Sequence, residues 1–352
     1  MKKNLLYILA VIIVSFTIIL SIHGFNQNNE NNGFTRIIKE QHIKFTKAYQ
    51  LPPTVFYFAG ISPTELHLKN LNDPSGLYLI DFALSKLKWR NLKLSTGLKA
   101  APKQVTISVR DTTIAVTDDL SGNLTLISKI TGKGRKFKGP EIWINQTSLI
   151  SGSSLIGKNL LIKGEQPQRQ LVKINYLKGK VKSTYQIEKQ TDGFFCTDGY
   201  LQFDQMHSKL FYMYFYRGEF LCLDTNMKLL YKSKTIDTVT TAVVKAAKVT
   251  KNKVNTFTQS TPPNAVNRVY TLCKNELYIA SLLKADNEQT SNFKENQIID
   301  VYNMDSGKYQ YSFYLPKYNG VKLRDFRISG NLIFAIYGTL IVRYELDPLL
   351  LT

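Results

Sequence analysis

Residues 77–92 read LYLIDFALSKLKWRNL. An apolar strand (77–82) enters a polar turn, and a basic strand returns. The first strand does not alternate. A sheet with one wet face alternates strictly, so a run apolar on both faces predicts a strand covered on both sides. The runs 210–215 (LFYMYF) and 332–337 (LIFAIY) have the same character. The hairpin recurs as LTLISKITGKGRKFKG from Leu124, LVKINYLKGKVKSTYQI from Leu171 and FLCLDTNMKLLYKSK from Phe220. A fifth copy, IIDVYNMDSGKYQYSFYL, starts at Ile298, and a truncated sixth, LIVRYEL, at Leu340.

Copies at a spacing of roughly 45–75 residues suggest blades of a propeller. Helical periodicity is hard to find after residue 54. The fold expected is all-β: a six-bladed β-propeller with four-stranded blades, preceded by one N-terminal transmembrane helix. Blade four is expected to use strands near 194–203, 210–216, 220–223 and 229–232. Blade six runs out of chain after three strands. The segment 36–45 (RIIKEQHIKF) is expected to supply its missing outer strand, so that no sheet is left unfinished. Two insertions break the spacing: 238–267, which is basic and carries Pro262-Pro263, and 284–296, which carries Asp286 and Glu288. A weak seventh blade has room in the first.

The N-terminus decides the compartment. Lys2 and Lys3 precede an apolar run over 5–22, and no Lys or Arg follows until Arg36. The length suits a membrane span, no small-x-small cleavage site follows, and the charge bias puts the N-terminus in the cytoplasm. The organisation expected is a signal anchor over 1–25, a polar linker over 26–35 (NQNNENNG at 26–33) and a propeller domain over 36–352. The body then lies in the periplasm, single-pass in the inner membrane. The alternative is a cleaved leader and a secreted or periplasmic protein.

The net charge is +20. Such a surface attracts polyanions, but the expected location leaves out nucleic acid as a partner. Lysines crowd the fourth strands, among them Lys88, Lys180, Lys182, Lys232 and Lys234. Lysine on an outer strand discourages edge-to-edge pairing. The three cysteines, Cys196, Cys222 and Cys273, form neither a CxxC nor a Cys/His cluster, so they read as free thiols. Cys196 and Cys222 are expected on the first and third strands of blade four, too far apart for a disulfide.

The chain resembles six-bladed β-propellers of the TolB-like and NHL-like kind. More narrowly it is similar to uncharacterised membrane-anchored or secreted bacterial propeller proteins. FYFAGISPTELHLKN (56–70), TFTQSTPPNAVN (256–267), the run 285–316 and its continuation over 322–346 carry the likeness. It implies a fold and a location but no activity, because one propeller architecture hosts enzymes and binding modules alike.

No phosphate-binding glycine loop, nucleophile elbow or calcium loop occurs. Two tryptophans, Trp89 and Trp143, are too few for the docking pattern of quinoprotein propellers. The adjacent pair Asp118-Asp119 precedes Ser121-Gly122 and reads as a turn. A site is expected at a mouth of the central channel. Its candidate ligand-binding residues are Arg110, Asp111, Asp198, Arg268, Arg324, Asp325 and Arg327. No catalytic residue, metal ligand or cofactor is assigned. The function expected is a non-catalytic module that binds a protein partner or an anionic extracytoplasmic ligand, tethered through its N-terminal segment. The alternative is a propeller hydrolase or lyase with a channel-mouth carboxylate or metal site.

Overall fold

The computed structural model describes residues 32–40, 43–94, 101–163, 166–244, 246–251, 254–259 and 264–346. The expected membrane anchor lies outside them. Among the described residues no helix is long and apolar enough to cross a membrane.

After a strand β1 (Ile43–Gln50), the chain winds into blades of antiparallel strands. Blade one holds β2 (Phe56–Ile61), β3 (Glu65–Asn70), β4 (Gly76–Asp81) and β5 (Lys88–Asn91). Blade two holds β6 (Val105–Arg110), β7 (Thr113–Asp118), β8 (Leu124–Ser128) and β9 (Gly134–Phe137). Blade three holds β10 (Ile144–Leu149), β11 (Ser154–Lys163), β12 (Gln166–Asn175) and β13 (Lys180–Gln186). Blade four holds β14 (Gly199–Asp204), β15 (Lys209–Tyr214), β16 (Glu219–Asp224) and β17 (Leu229–Lys234). A separate two-stranded hairpin, β18 (Ala246–Lys251) with β19 (Val254–Gln259), follows. It fills part of the first insertion, and the described residues contain no seventh blade.

Blade five holds β20 (Asn267–Cys273), β21 (Glu276–Ser281), β22 (Asn296–Asn303) and β23 (Tyr309–Pro316). Blade six combines β24 (Leu323–Ser329), β25 (Leu332–Tyr337) and β26 (Leu340–Leu346) with β1 as its outer strand. The fold is a six-bladed β-propeller. The innermost strands β2, β6, β10, β14, β20 and β24 neighbour one another around the ring. At Gly60 an added Cβ would lie 2.6 Å from the Val109 carbonyl, so only glycine lets β2 approach β6 there.

Runs apolar on both faces are explained by the six junctions between blades, each with its own buried core. In β25, Ile333, Ala335 and Tyr337 pack towards blade five, while Phe334 and Ile336 pack towards blade one. In β15, Tyr212 and Tyr214 join the core with blade three, and Phe211 and Met213 the core with blade five. A strand that feeds two cores has no face left for water. Outer strands lean over the next blade. The Arg90 guanidinium donates to the Lys129 carbonyl, and the Tyr231 hydroxyl to the Met304 carbonyl at 2.6 Å. Their outward faces carry the exposed lysines, including Lys88, Lys180 and Lys182.

Ring closure by the N-terminal segment holds, but with a shift. The closing strand starts at Ile43, where it faces Leu346, and runs on to Gln50, opposite Leu340. Residues 36–39 lie along blade five instead, in a parallel bridge between Ile38 and Ser312. The cause is Arg36, which is 4% exposed. Its Nε donates to Asp300 Oδ1 at 2.7 Å and its Nη2 to Ser281 Oγ at 2.9 Å. Its Nη1 pairs with Glu288 of the second insertion. That insertion also holds a short helix, α1 (Thr290–Glu295). Cys196 likewise departs from expectation. It precedes β14, in a loop where Asp192 Oδ1 accepts hydrogen bonds from the amides of Phe194, Phe195 and Cys196. All three cysteines are free.

Candidate functional site

The face on which the innermost strands begin is here the upper face. The channel holds a cavity of about 340 Å³, to which all six inner strands contribute, with Thr106, Gln146, Gln202 and Thr271 among the polar lining residues. Two cations face it, Lys69 from β3 and Arg327 from β24.

A bulge in β24 between Leu323 and Asp325 sets the local geometry. Asp325 is 1% exposed and accepts from the Phe58 amide at 3.0 Å and from Arg327 Nη1 at 2.8 Å. Arg327 also lies over the Phe58 ring at 5.2 Å and reaches the Tyr200 hydroxyl at 3.5 Å. Burial would lower its pKa, but Asp325 and Tyr200 outweigh that and raise it, so its charge is secure. Lys69 differs. Among the described residues its side chain has no hydrogen-bond or ion-pair partner. Burial depresses its pKa, and Asp119 and Asp325 oppose the shift.

A collar of charge continues around the upper part of the channel. Asp119, just after β7, is 7% exposed and leaves Oδ1 without a partner. Burial pushes its pKa up to about 7, against the pull of Thr106 and Lys69. Lys158 on β11 donates to Asp198 Oδ1 at 3.0 Å and to the Gly199 carbonyl at 2.6 Å. Burial lowers its pKa to about 8 even with Asp198 beside it. Arg169 also pairs with Asp198, at 3.3 Å. Burial works to raise the Asp198 pKa, yet these two cations hold it below the ordinary value. Four cations (Lys69, Lys158, Arg169, Arg327) thus meet three carboxylates (Asp119, Asp198, Asp325). The collar carries an excess of positive charge, which grows when Asp119 is protonated.

The residues singled out from sequence divide between three places. Asp198, Asp325 and Arg327 belong to the collar. Arg268 and Arg324 sit at the upper ends of β20 and β24. Arg324 Nη1 donates to the Gly338 carbonyl, so the two arginines around Asp325 do not converge on one point. Arg110 and Asp111 sit at the opposite, lower mouth. Arg110 Nη1 donates to the Leu149 carbonyl at 3.0 Å, and Asp111 takes φ 50° at a hairpin tip. Sequence reasoning missed Lys69, Asp119, Lys158 and Arg169. The Asp118-Asp119 pair was the one signal available. Asp118 does make the expected turn, accepting from the Leu120 amide at 2.9 Å, and Asp119 is freed for the channel side.

The fold and this collar define the class: a six-bladed β-propeller with a cationic channel. No protein-family model matches the sequence, and a search of curated proteins gave no match. Among solved structures, the chain is similar to a member of the DUF4221 family from Bacteroides vulgatus, at 12% identity and TM-score 0.51, covering 90% of this chain and 99% of that one. It is also similar to a Bacteroides thetaiotaomicron protein of unknown function, at 11% identity and TM-score 0.49, covering 88% and 77%. BamB from Moraxella catarrhalis aligns at 8% identity and TM-score 0.40, covering 86% and 97%. The first supports the fold, and none assigns an activity.

Proposed function

We propose that the chain is a membrane-tethered, extracytoplasmic, non-catalytic module whose channel binds a small anion bearing a carboxylate or a phosphate. The observation that carries this is Lys69, a cation facing the channel without a partner, beside the fixed charge of Arg327. Lys69 is half-buried, and Asp119 and Asp325 act on its ammonium without a hydrogen bond or a close ion pair, so an anionic ligand in the channel gains a charge-assisted contact that no carboxylate already takes. The tether rests on the apolar run over 5–22. The carboxylates support binding rather than carboxylate-centred hydrolysis. Asp198 is clamped by Lys158 and Arg169, and Asp325 by Arg327 and the Phe58 amide. Hydrolysis by a carboxylate pair needs both groups open towards one substrate atom.

The test is calorimetric titration of the full-length chain in detergent with inorganic phosphate and with succinate. Saturable binding of at least one anion is expected, weakened roughly tenfold in Lys69→Met, because a hydrogen bond to a charged group is worth about 1.5–3 kcal/mol. Arg135→Gln, on the outer strand of blade two, serves as control. Equal affinity in Lys69→Met and the parent protein sinks the reading. Succinate, already ionised across this range, is also expected to bind less tightly as pH rises from 6 to 9. Asp119 gains negative charge near 7 and Lys158 loses positive charge near 8, so both changes disfavour an anion.

A further inference from the structure

We infer that the upper face of the propeller is the face turned to the membrane, and that it docks on an anionic bilayer surface. The inference rests on the tethered reading above and adds which face is used and against what.

The first support is where the chain enters the ring. Asn32, the first described residue, is fixed at the upper face. Its amide donates to Asp286 Oδ1 at 2.7 Å, its Nδ2 to the Lys284 carbonyl at 2.8 Å, and the Thr238 hydroxyl donates to its carbonyl at 2.6 Å. Lys284 follows β21 and Thr238 follows β17, and both strands end at the upper face. Four residues on, buried Arg36 locks the segment to blade five. The attachment point is therefore part of the rigid body.

The second support is length. The apolar run ends at Ile22, leaving residues 23–31 before Asn32. Fully extended, they reach at most about 30 Å. A domain of this size is about 50 Å across. Across the blades, strands of mostly six residues span about 20 Å before the loops are added, so a link of that reach attached at the upper face must be stretched near its limit to invert the body, and this favours the upper face towards the bilayer.

The third support is charge. Arg268, Lys317, Lys322 and Arg324 cluster where blades five and six meet the upper face. Arg268 has its pKa lowered by burial and then by Arg324, and Lys317 by burial and then by Lys322 and Arg268. No carboxylate appears among the causes of either shift. Among the described residues, the side chains of Arg268 and Lys322 have no hydrogen-bond or ion-pair partner. Unneutralised cations facing a bilayer suit anionic headgroups. Val321, 39% exposed, stands among them.

The experiment uses the full chain reconstituted into vesicles. A Cys273→Ala background carries one label, at Val321→Cys on the upper face or at Met206→Cys, which is 77% exposed in the β14–β15 turn of the lower face. Energy transfer to a lipid dye reads the distance of each label from the bilayer. The Val321 label is expected to be the nearer one in neutral lipid. It should approach further with roughly 30% phosphatidylglycerol, and half a molar salt, with its Debye length of only a few ångströms, should undo that approach. Lys322→Glu together with Arg268→Glu should remove the lipid dependence without releasing the chain. A Met206 label equally near or nearer overturns the inference and leaves the tether standing. An upper label indifferent to anionic lipid overturns the docking. A chain that fails to float with vesicles overturns the tether and this inference with it.

Discussion

Asp119 shows how one buried side chain links stability to pH. Below about pH 4 its carboxyl is protonated in the folded and the unfolded chain alike. Between that pH and about 7 the folded protein keeps the proton while the unfolded chain releases it, so stability is lost as pH rises through 7. Asp119→Asn is expected to remove this slope and add roughly 4 kcal/mol at pH 8, since the shift is about three units and each unit corresponds to about 1.4 kcal/mol. Urea unfolding at pH 5 and pH 8 measures it, and an unchanged slope contradicts the assignment. Arg36 argues the opposite case, a charge that cannot be spared. Arg36→Met leaves Asp300 and Glu288 buried without a cation, and breaking a buried pair in this way costs about 3–5 kcal/mol. Thermal melts should show that loss. Arg36→Lys should recover only part of it, since a lysine cannot make the two-pronged contact with Asp300.

At the scale of elements, the strands were legible and the site was not, for one physical reason. A strand that feeds two inter-blade cores must be apolar throughout, and 332–337 or 210–215 announce it in six letters. Lys69 and Lys158 look like any other strand lysine. Only the convergence of blades one to four brings them to a common channel, and no local pattern encodes that. The closing strand was misplaced by several residues because 36–45 and 43–50 have similar texture. The deciding contact, Arg36 with Asp300, joins residues 264 positions apart. Closure itself can be tested through Tyr344. It is 2% exposed, donates to the Pro316 carbonyl at 3.0 Å and meets Phe45 edge-on. Tyr344→Ala is expected to cost about 3–5 kcal/mol, as for other buried aromatic truncations. Limited proteolysis should then cut first within β1. Cleavage elsewhere would show that the seam is not the weak point.

For the whole molecule, the +20 charge divides into parts with different duties. Lysines on the outer strands face water and guard edges. Lys69 and Arg327 face a channel. Arg268, Lys317, Lys322 and Arg324 crown one end. Salt separates the last two groups. Charges in a narrow channel are shielded less than exposed ones, so between 50 and 500 mM salt phosphate affinity should fall only about threefold while bilayer docking is abolished. Parallel titrations across that range check this, and a common salt dependence would place both on one exposed surface.

The seam in blade six also sets a clock. β1 is made early and β26 late, with about 300 residues of synthesis between Ile43 and its partner Leu346. At about 5–20 residues per second, the first strand waits tens of seconds for the last. Blades that fold as they are made would in that interval form an open line with an unsatisfied edge at each end. Its survival before completion then depends on the speed of synthesis and on whatever shields those edges, not on the strength of the finished circle.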